Sequence, residues 1–111
     1  MTEICAEWRE NRFSLSVSGH AGHSANGNDI VCAGVSMLVH ALAAWMAAQQ
    51  KAGLADIHTL TCEKGCAVMD VRFPPPAAEP ARGAASVVLE GFRLLAVQYP
   101  QNVRFAARKP Q

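Results

Sequence analysis

Cys32 stands in the apolar run Ile30-Val31-Cys32-Ala33, behind Asp29 and ahead of Ser36, and His20 precedes it by twelve positions. A thiol with an imidazole is the smallest set that performs nucleophilic acyl transfer, because the imidazole takes the S–H proton and the thiolate attacks a carbonyl. With Asp29 as a helix N-cap, Cys32 becomes the third helical residue. Unpaired amide hydrogens and the positive end of the helix dipole favour thiolate there. The amides of Cys32 and Ala33 would then hold an oxyanion beside the sulfur. The Asp29 carboxylate opposes this, since it competes for the same amides and disfavours a second negative charge, whereas a nearby imidazolium favours thiolate. Asp29 either orients the imidazole or only caps the helix. Ser36 follows Cys32 by one turn on the same face and could donate to the site. The residues alone leave a second reading open, in which Cys32 is a small core residue and His20 is structural.

The elements that must position these groups are legible as alternations. In Glu3–Arg9, Ile4, Ala6 and Trp8 share one side, and in Arg12–Ser18, Phe13, Leu15 and Val17 do the same. Glu10-Asn11 makes the tight turn of a hairpin with one wet face. Residues 19–28, with three glycines and no periodicity, are expected to be a loop. A helix then runs from Asp29 to a stop at Gly53. Ile57–Cys62 and Cys66–Phe73 form a second hairpin around Glu63-Lys64-Gly65. Pro74-Pro75-Pro76 ends its last strand, with a loop expected through Pro80. Val88, Phe92, Leu95 and Tyr99 recur at helical spacing within Gly83–Tyr99, and Asn102–Ala106 adds a short strand. The β-β-α-β-β-α-β order predicts a two-layer α+β domain spanning 1–111, an antiparallel-rich sheet with two helices on one face.

Composition narrows the function. The chain has 111 residues, half of them hydrophobic, so a core forms without disulfide or metal staples. Charged residues are 17% and the formal net charge is +1, which gives nucleic-acid binding little support. Met1-Thr2-Glu3-Ile4-Cys5 lacks the basic and apolar pattern of a secretory signal, and the four cysteines are irregularly spaced. A reduced, cytoplasmic protein is expected. Ile30–Gln50 carries no Asp, Glu, Lys or Arg, yet Gly34, Ser36, His40 and many alanines dilute it. Burial on two sides, by its own sheet and by a second subunit, accounts for such a helix better than a membrane does.

The string Gly19-His20-Ala21, a short glycine-bearing loop, Asp29-Ile30-Val31-Cys32-Ala33 and Val35-Ser36 resembles the Prp-type ribosomal-processing cysteine proteases. The resemblance implies a cytoplasmic homodimeric endopeptidase that needs no cofactor or metal. Its implied substrate is the N-terminal extension of the twenty-seventh protein of the large ribosomal subunit. It also implies Cys32 as nucleophile, His20 as general base, and Asp29, Ser36 and Gly19 as supporting residues. The loop Ala21, Gly22, His23, Ser24, Ala25, Asn26, Gly27 and Asn28 would order over the bound peptide. His23 departs from the aromatic residue common in this family and leaves open which imidazole serves Cys32.

Two other functions compete. His20-x-x-His23 with Cys32, or Cys62-x-x-x-Cys66 facing one another across a turn, offers zinc ligands without the paired short spacings of a strong zinc motif. A ribosome-associated assembly factor with an incidental thiol would bind the ribosomal protein without cutting it. His40 falls two helical turns after Cys32 and could share that face, but a core or interface role is expected, with His58 on the surface. Cys5 falls on the polar side of its strand, and Trp8 and Trp45 are core or interface aromatics. Arg72, Arg82, Arg104, Arg108 and Lys109 are read as solvated charges.

Overall fold

The computed structural model describes residues 1–19, 26–63 and 65–108, residues 26–29 by their backbone alone. The chain runs β1 (Thr2–Arg9), β2 (Arg12–Ser18), α1 (Asn26–Lys51), β3 (Asp56–Glu63), β4 (Cys66–Arg72), α2 (Pro75–Gln98) and β5 (Val103–Arg108). The strands form one sheet in the order β3-β4-β2-β1-β5, antiparallel except for the β1–β5 pair. Glu10 takes a left-handed φ of 54°, which closes the two-residue turn between the paired Arg9 and Arg12. The alternation of each strand buries one sheet face, where Ile4, Phe13, Leu15, Met69 and Val71 meet the two helices. This is the expected two-layer α+β fold.

Helix α1 buries one stripe, Val31, Val35, Val39, Leu42 and Met46, at successive steps of four, four, three and four residues. Its far side is apolar as well: Ile30 is 64% and Met37 69% exposed. By length and composition Ile30–Lys51 could cross a membrane, with a mean hydropathy of 1.9. The stripe packed on the sheet accounts for one side of that hydropathy and leaves the other uncovered. The two helices approach closely, because a Cβ on Gly91 would lie 2.9 Å from the methyls of Leu38, and one on Gly34 3.4 Å from Leu95.

Two boundaries differ from those expected. Helix α1 starts at Asn26 rather than after Asp29, so 26–28 are helical and Asp29 lies inside the helix instead of capping it. Once Val31 is packed, extending the helix by another turn costs little compared with nucleating it. Helix α2 starts at Pro75, so residues 75–80 are not a loop. Prolines at the first two positions lose no intrahelical bond, and buried Ala77, Ala78 and Ala81 hold the turn containing Pro80 against the core.

The other sheet face carries ion pairs. Arg12 makes a two-pronged bond to Asp70, 2.7 Å at each oxygen. Arg72 meets Asp56 at 3.1 Å and Arg104 meets Glu3 at 3.2 Å. His58 bulges out of β3 and faces Asp70 electrostatically, so it has a partner across the sheet. The hydrogen bond from Arg12 holds the Asp70 carboxyl below the usual carboxylate range.

Two predictions follow from this framework. Gly19 has φ +90° and a Cβ there would sit 2.4 Å from the Met1 carbonyl oxygen, whereas Gly53 at φ +78° faces open space. Gly53→Ala is expected to cost about 1 kcal/mol in urea unfolding, the conformational term alone. Gly19→Ala should cost at least about 2 kcal/mol more, because backbone must also shift. Asp70 contributes stability above its unfolded pKa of about 3.9 and loses it as pH falls through the lower folded value. Asp70→Asn should therefore flatten the stability–pH profile below about pH 4, by no more than about 1 kcal/mol at this surface site.

Candidate active site

A cavity of about 500 Å³ opens where the ends of β1 and β2, the N-terminal half of α1 and the β3–β4 turn converge. Its α1 wall carries Cys32, Ser36 and His40, each one position after a core valine of the stripe Val31, Val35 and Val39. A step of one residue turns about 100° around a helix, so the core stripe sets this second row at the boundary between core and solvent. That phase exposes the Cys32 thiol to the cavity instead of burying it among the valines.

Gly19 and Gly65 form part of the opposite rim. The Gly19 N–H donates to the Gly65 carbonyl at 3.0 Å, which ties the end of β2 to the β3–β4 turn. Thr2, buried at 3% exposure, also lines the cavity beside Gly19. Cys62 and Cys66 both reach it, but from different sheet faces. Their cross-strand partners are Ala67 and Glu63 respectively, so the two sulfurs do not face one another across the turn as expected. Burial pushes the Cys62 thiol up, which keeps it protonated and a poor nucleophile. Among the described residues, no group of three or more His, Cys, Asp or Glu could hold a metal ion.

His40 is neither core nor, within this chain, a contact between elements. It is exposed on the cavity wall two turns beyond Cys32. Its Nδ1 lies 2.8 Å from the Ser36 carbonyl oxygen and 3.3 Å from the Ser36 hydroxyl. A carbonyl only accepts, so Nδ1 carries the proton, and the Ser36 Oγ beside it acts as an acceptor with its own O–H left to donate.

Some expected features are not reproduced. With α1 beginning at Asn26, Cys32 is in the second turn, where its amide and that of Ala33 bond to carbonyls four residues back. Those amides are not free to hold an oxyanion. Asp29 falls in the first turn of α1. His20, Ala21, Gly22, His23, Ser24 and Ala25 lie outside the described residues, while Asn26, Gly27 and Asn28 form the first turn of α1 instead of loop. The contribution of the β3–β4 hairpin to the site was not anticipated. The Glu63-Lys64-Gly65 turn located that hairpin in the sequence, but only its register shows that Cys62 shares a cavity with Cys32.

The fold has close likenesses among solved structures. The SMU.848 protein from Streptococcus mutans superposes with a TM-score of 0.71 at 24% identity, over 98% of this chain and 95% of that one. An essential ribosomal processing protease, Prp from Staphylococcus aureus, in complex with a substrate peptide, gives 0.69 at 17% identity, over 96% and 99%. The same S. aureus protease with a covalently linked product peptide gives 0.69 at 18% identity over the same shares. No curated protein matches this sequence. The family described as cysteine protease Prp matches residues 1–104, the whole fold up to the second residue of β5. This chain, with its exposed thiol at the mouth of a cavity, belongs to that family of cysteine proteases.

Proposed function

We propose that this protein is a cytoplasmic endopeptidase that removes the N-terminal extension of the twenty-seventh protein of the large ribosomal subunit. In this proposal Cys32 is the nucleophile and His20 the general base. The observation that carries it is the exposed Cys32 thiol in a cavity that Gly19, the residue before His20, also lines. The S. aureus likeness supports the substrate class, as a ribosomal processing protease with a peptide bound. A product peptide covalently linked to that protease is what nucleophilic attack leaves behind.

In the proposed reaction the imidazole of His20 takes the Cys32 proton and the sulfur attacks the scissile carbonyl. The Ser36 hydroxyl, one turn away with its O–H free, donates to the oxyanion in place of the helix amides. Protonated His20 then gives its proton to the departing amine, and water attacks the thioester to free Cys32. The bare apolar side of α1 supports a homodimer, with Ile30 and Met37 covered by the same helix of a second copy.

The activity is tested by incubating the protein with the N-terminally extended ribosomal protein and reading new N-termini by mass spectrometry. Native protein should generate one, and Cys32→Ala and His20→Ala should each lower kcat/KM by at least about a thousandfold. Turnover by Cys32→Ala removes the nucleophile, and binding with no cut points to an assembly factor. The dimer is tested by sedimentation: native protein should run at twice the protomer mass and Met37→Glu as a protomer. A native protomer at micromolar concentration refutes it.

A further inference from the structure

We propose that His40 sets substrate specificity, its Nε2 accepting a hydrogen bond from a neutral hydroxyl or carboxamide on the substrate side chain three or four residues from the scissile bond. This inference rests on Cys32 as the nucleophile.

The 2.8 Å bond from Nδ1 to the Ser36 carbonyl places the proton on Nδ1, so the neutral ring presents Nε2 as an acceptor. The same bond restrains the ring against the α1 backbone, which makes His40 a fixed acceptor instead of a freely rotating side chain. Among the described residues, the hydrogen bonds of His40 run through Nδ1.

Position follows from helix geometry. His40 is eight residues beyond Cys32, about 12 Å along the axis of α1. An extended peptide advances about 3.3 Å per residue, so a chain lying along α1 from the attacked carbonyl reaches His40 with its third or fourth residue. The opposite wall at that level is also placed. The Ile57 N–H donates to Gln50 Oε1 at 2.8 Å and pins the end of α1 to the start of β3. Ten helical residues back from Gln50 is about 15 Å, which along β3 corresponds to four or five residues and puts His40 level with Cys62.

The surroundings decide the ligand chemistry. Val39 and Cys62 line the cavity together with His40, and burial keeps the Cys62 thiol neutral. A side chain docked against Val39 and Cys62 loses water, and its own N–H or O–H donor meets the fixed acceptor of His40. A donor left unpaired there, or an acceptor left without a donor, carries the cost of an unsatisfied polar group. An apolar side chain therefore binds less well than an isosteric one with a donor.

The test uses peptides that the native enzyme cuts, recovered from a randomised library by mass spectrometry. Positions three and four on each side of the cut are then substituted in the matched pairs Thr against Val and Asn against Leu. At one of these positions native enzyme should prefer Thr over Val and Asn over Leu by about tenfold in kcat/KM, carried by KM. In His40→Phe the ratio should fall to about one, and His40→Gln, which keeps an acceptor oxygen, should recover part of it. No donor preference at any of the four positions, or the same preference in His40→Phe as in native enzyme, overturns the inference. Cleavage that still vanishes in Cys32→Ala would show that only the specificity inference has failed, whereas cleavage persisting there refutes the nucleophile on which it rests.

Discussion

The site depends on the rotational phase at which α1 lies on the sheet. Val31, Val35 and Val39 press into the core where α1 packs against β3, β4 and α2, and burying each branched side chain contributes about 1.5–3 kcal/mol. Rotating the helix by one residue's worth, about 100°, would expose all three valines and bury Cys32, Ser36 and His40 in their place. The hydroxyl and imidazole would then be desolvated inside an apolar core. The cost of both changes runs in the same direction, so the phase is held by several residues at once. The thiol thus sits at the cavity mouth because the valine stripe requires it, and no interaction made by the sulfur itself is needed.

The second wall is held by backbone. Gly19 leaves β2 in a conformation that side-chain-bearing residues avoid, packs against the Met1 carbonyl, and bonds through its N–H to Gly65. A glycine is needed there for two separate reasons, the positive φ and the lack of room for a Cβ. One residue thereby fixes the end of β1, the end of β2 and the β3–β4 turn relative to one another. With α1 phased by its valines and this corner locked by Gly19, the cavity between them has little freedom to change width.

How much of this was legible in the sequence follows from the range of the forces. Strand alternation and the spacing of Val88, Phe92 and Leu95 are local patterns, and they gave the element order and the helix-covered face correctly. The helix starts were misread for local reasons too: Pro75, Pro76 and Pro80 look like a loop until the buried alanines around them are known. Asp29 looks like a cap although α1 begins a turn earlier. Cys32, Ser36 and Gly19 were identified from their types and motif, and all three line the cavity. Cys62 was missed as a site residue because its relevance lies in the packing of β3 beside α1, a pairing between distant segments that no short window of sequence contains, whereas His40 was within reach of the helical spacing that places it two turns beyond Cys32. The opposite-facing sulfurs of Cys62 and Cys66 make the same point. One residue of register decides the side on which each thiol lies.

The start of α1 at Asn26 changes where thiol activation must come from. The field of a helix end is worth about 0.3–1 kcal/mol and fades within the first turn, and Cys32 lies beyond that turn with its amide already bonded. The helix therefore contributes mainly position to the sulfur and little charge stabilisation. In the proposed reaction proton removal falls to the imidazole of His20, because the helix itself does little to lower the thiol's proton affinity. In the same proposed reaction the oxyanion is met by a side-chain donor, the Ser36 hydroxyl, which is restrained by its contact with His40. His40 thus connects two tasks. Its Nδ1–H holds the Ser36 carbonyl and leaves the neighbouring O–H free to donate, while its Nε2 is the atom proposed to meet the substrate farther along. In these two proposals chemistry and selection are coupled through one turn of helix, because the ring proposed to read the substrate also contacts the Ser36 hydroxyl one turn from Cys32.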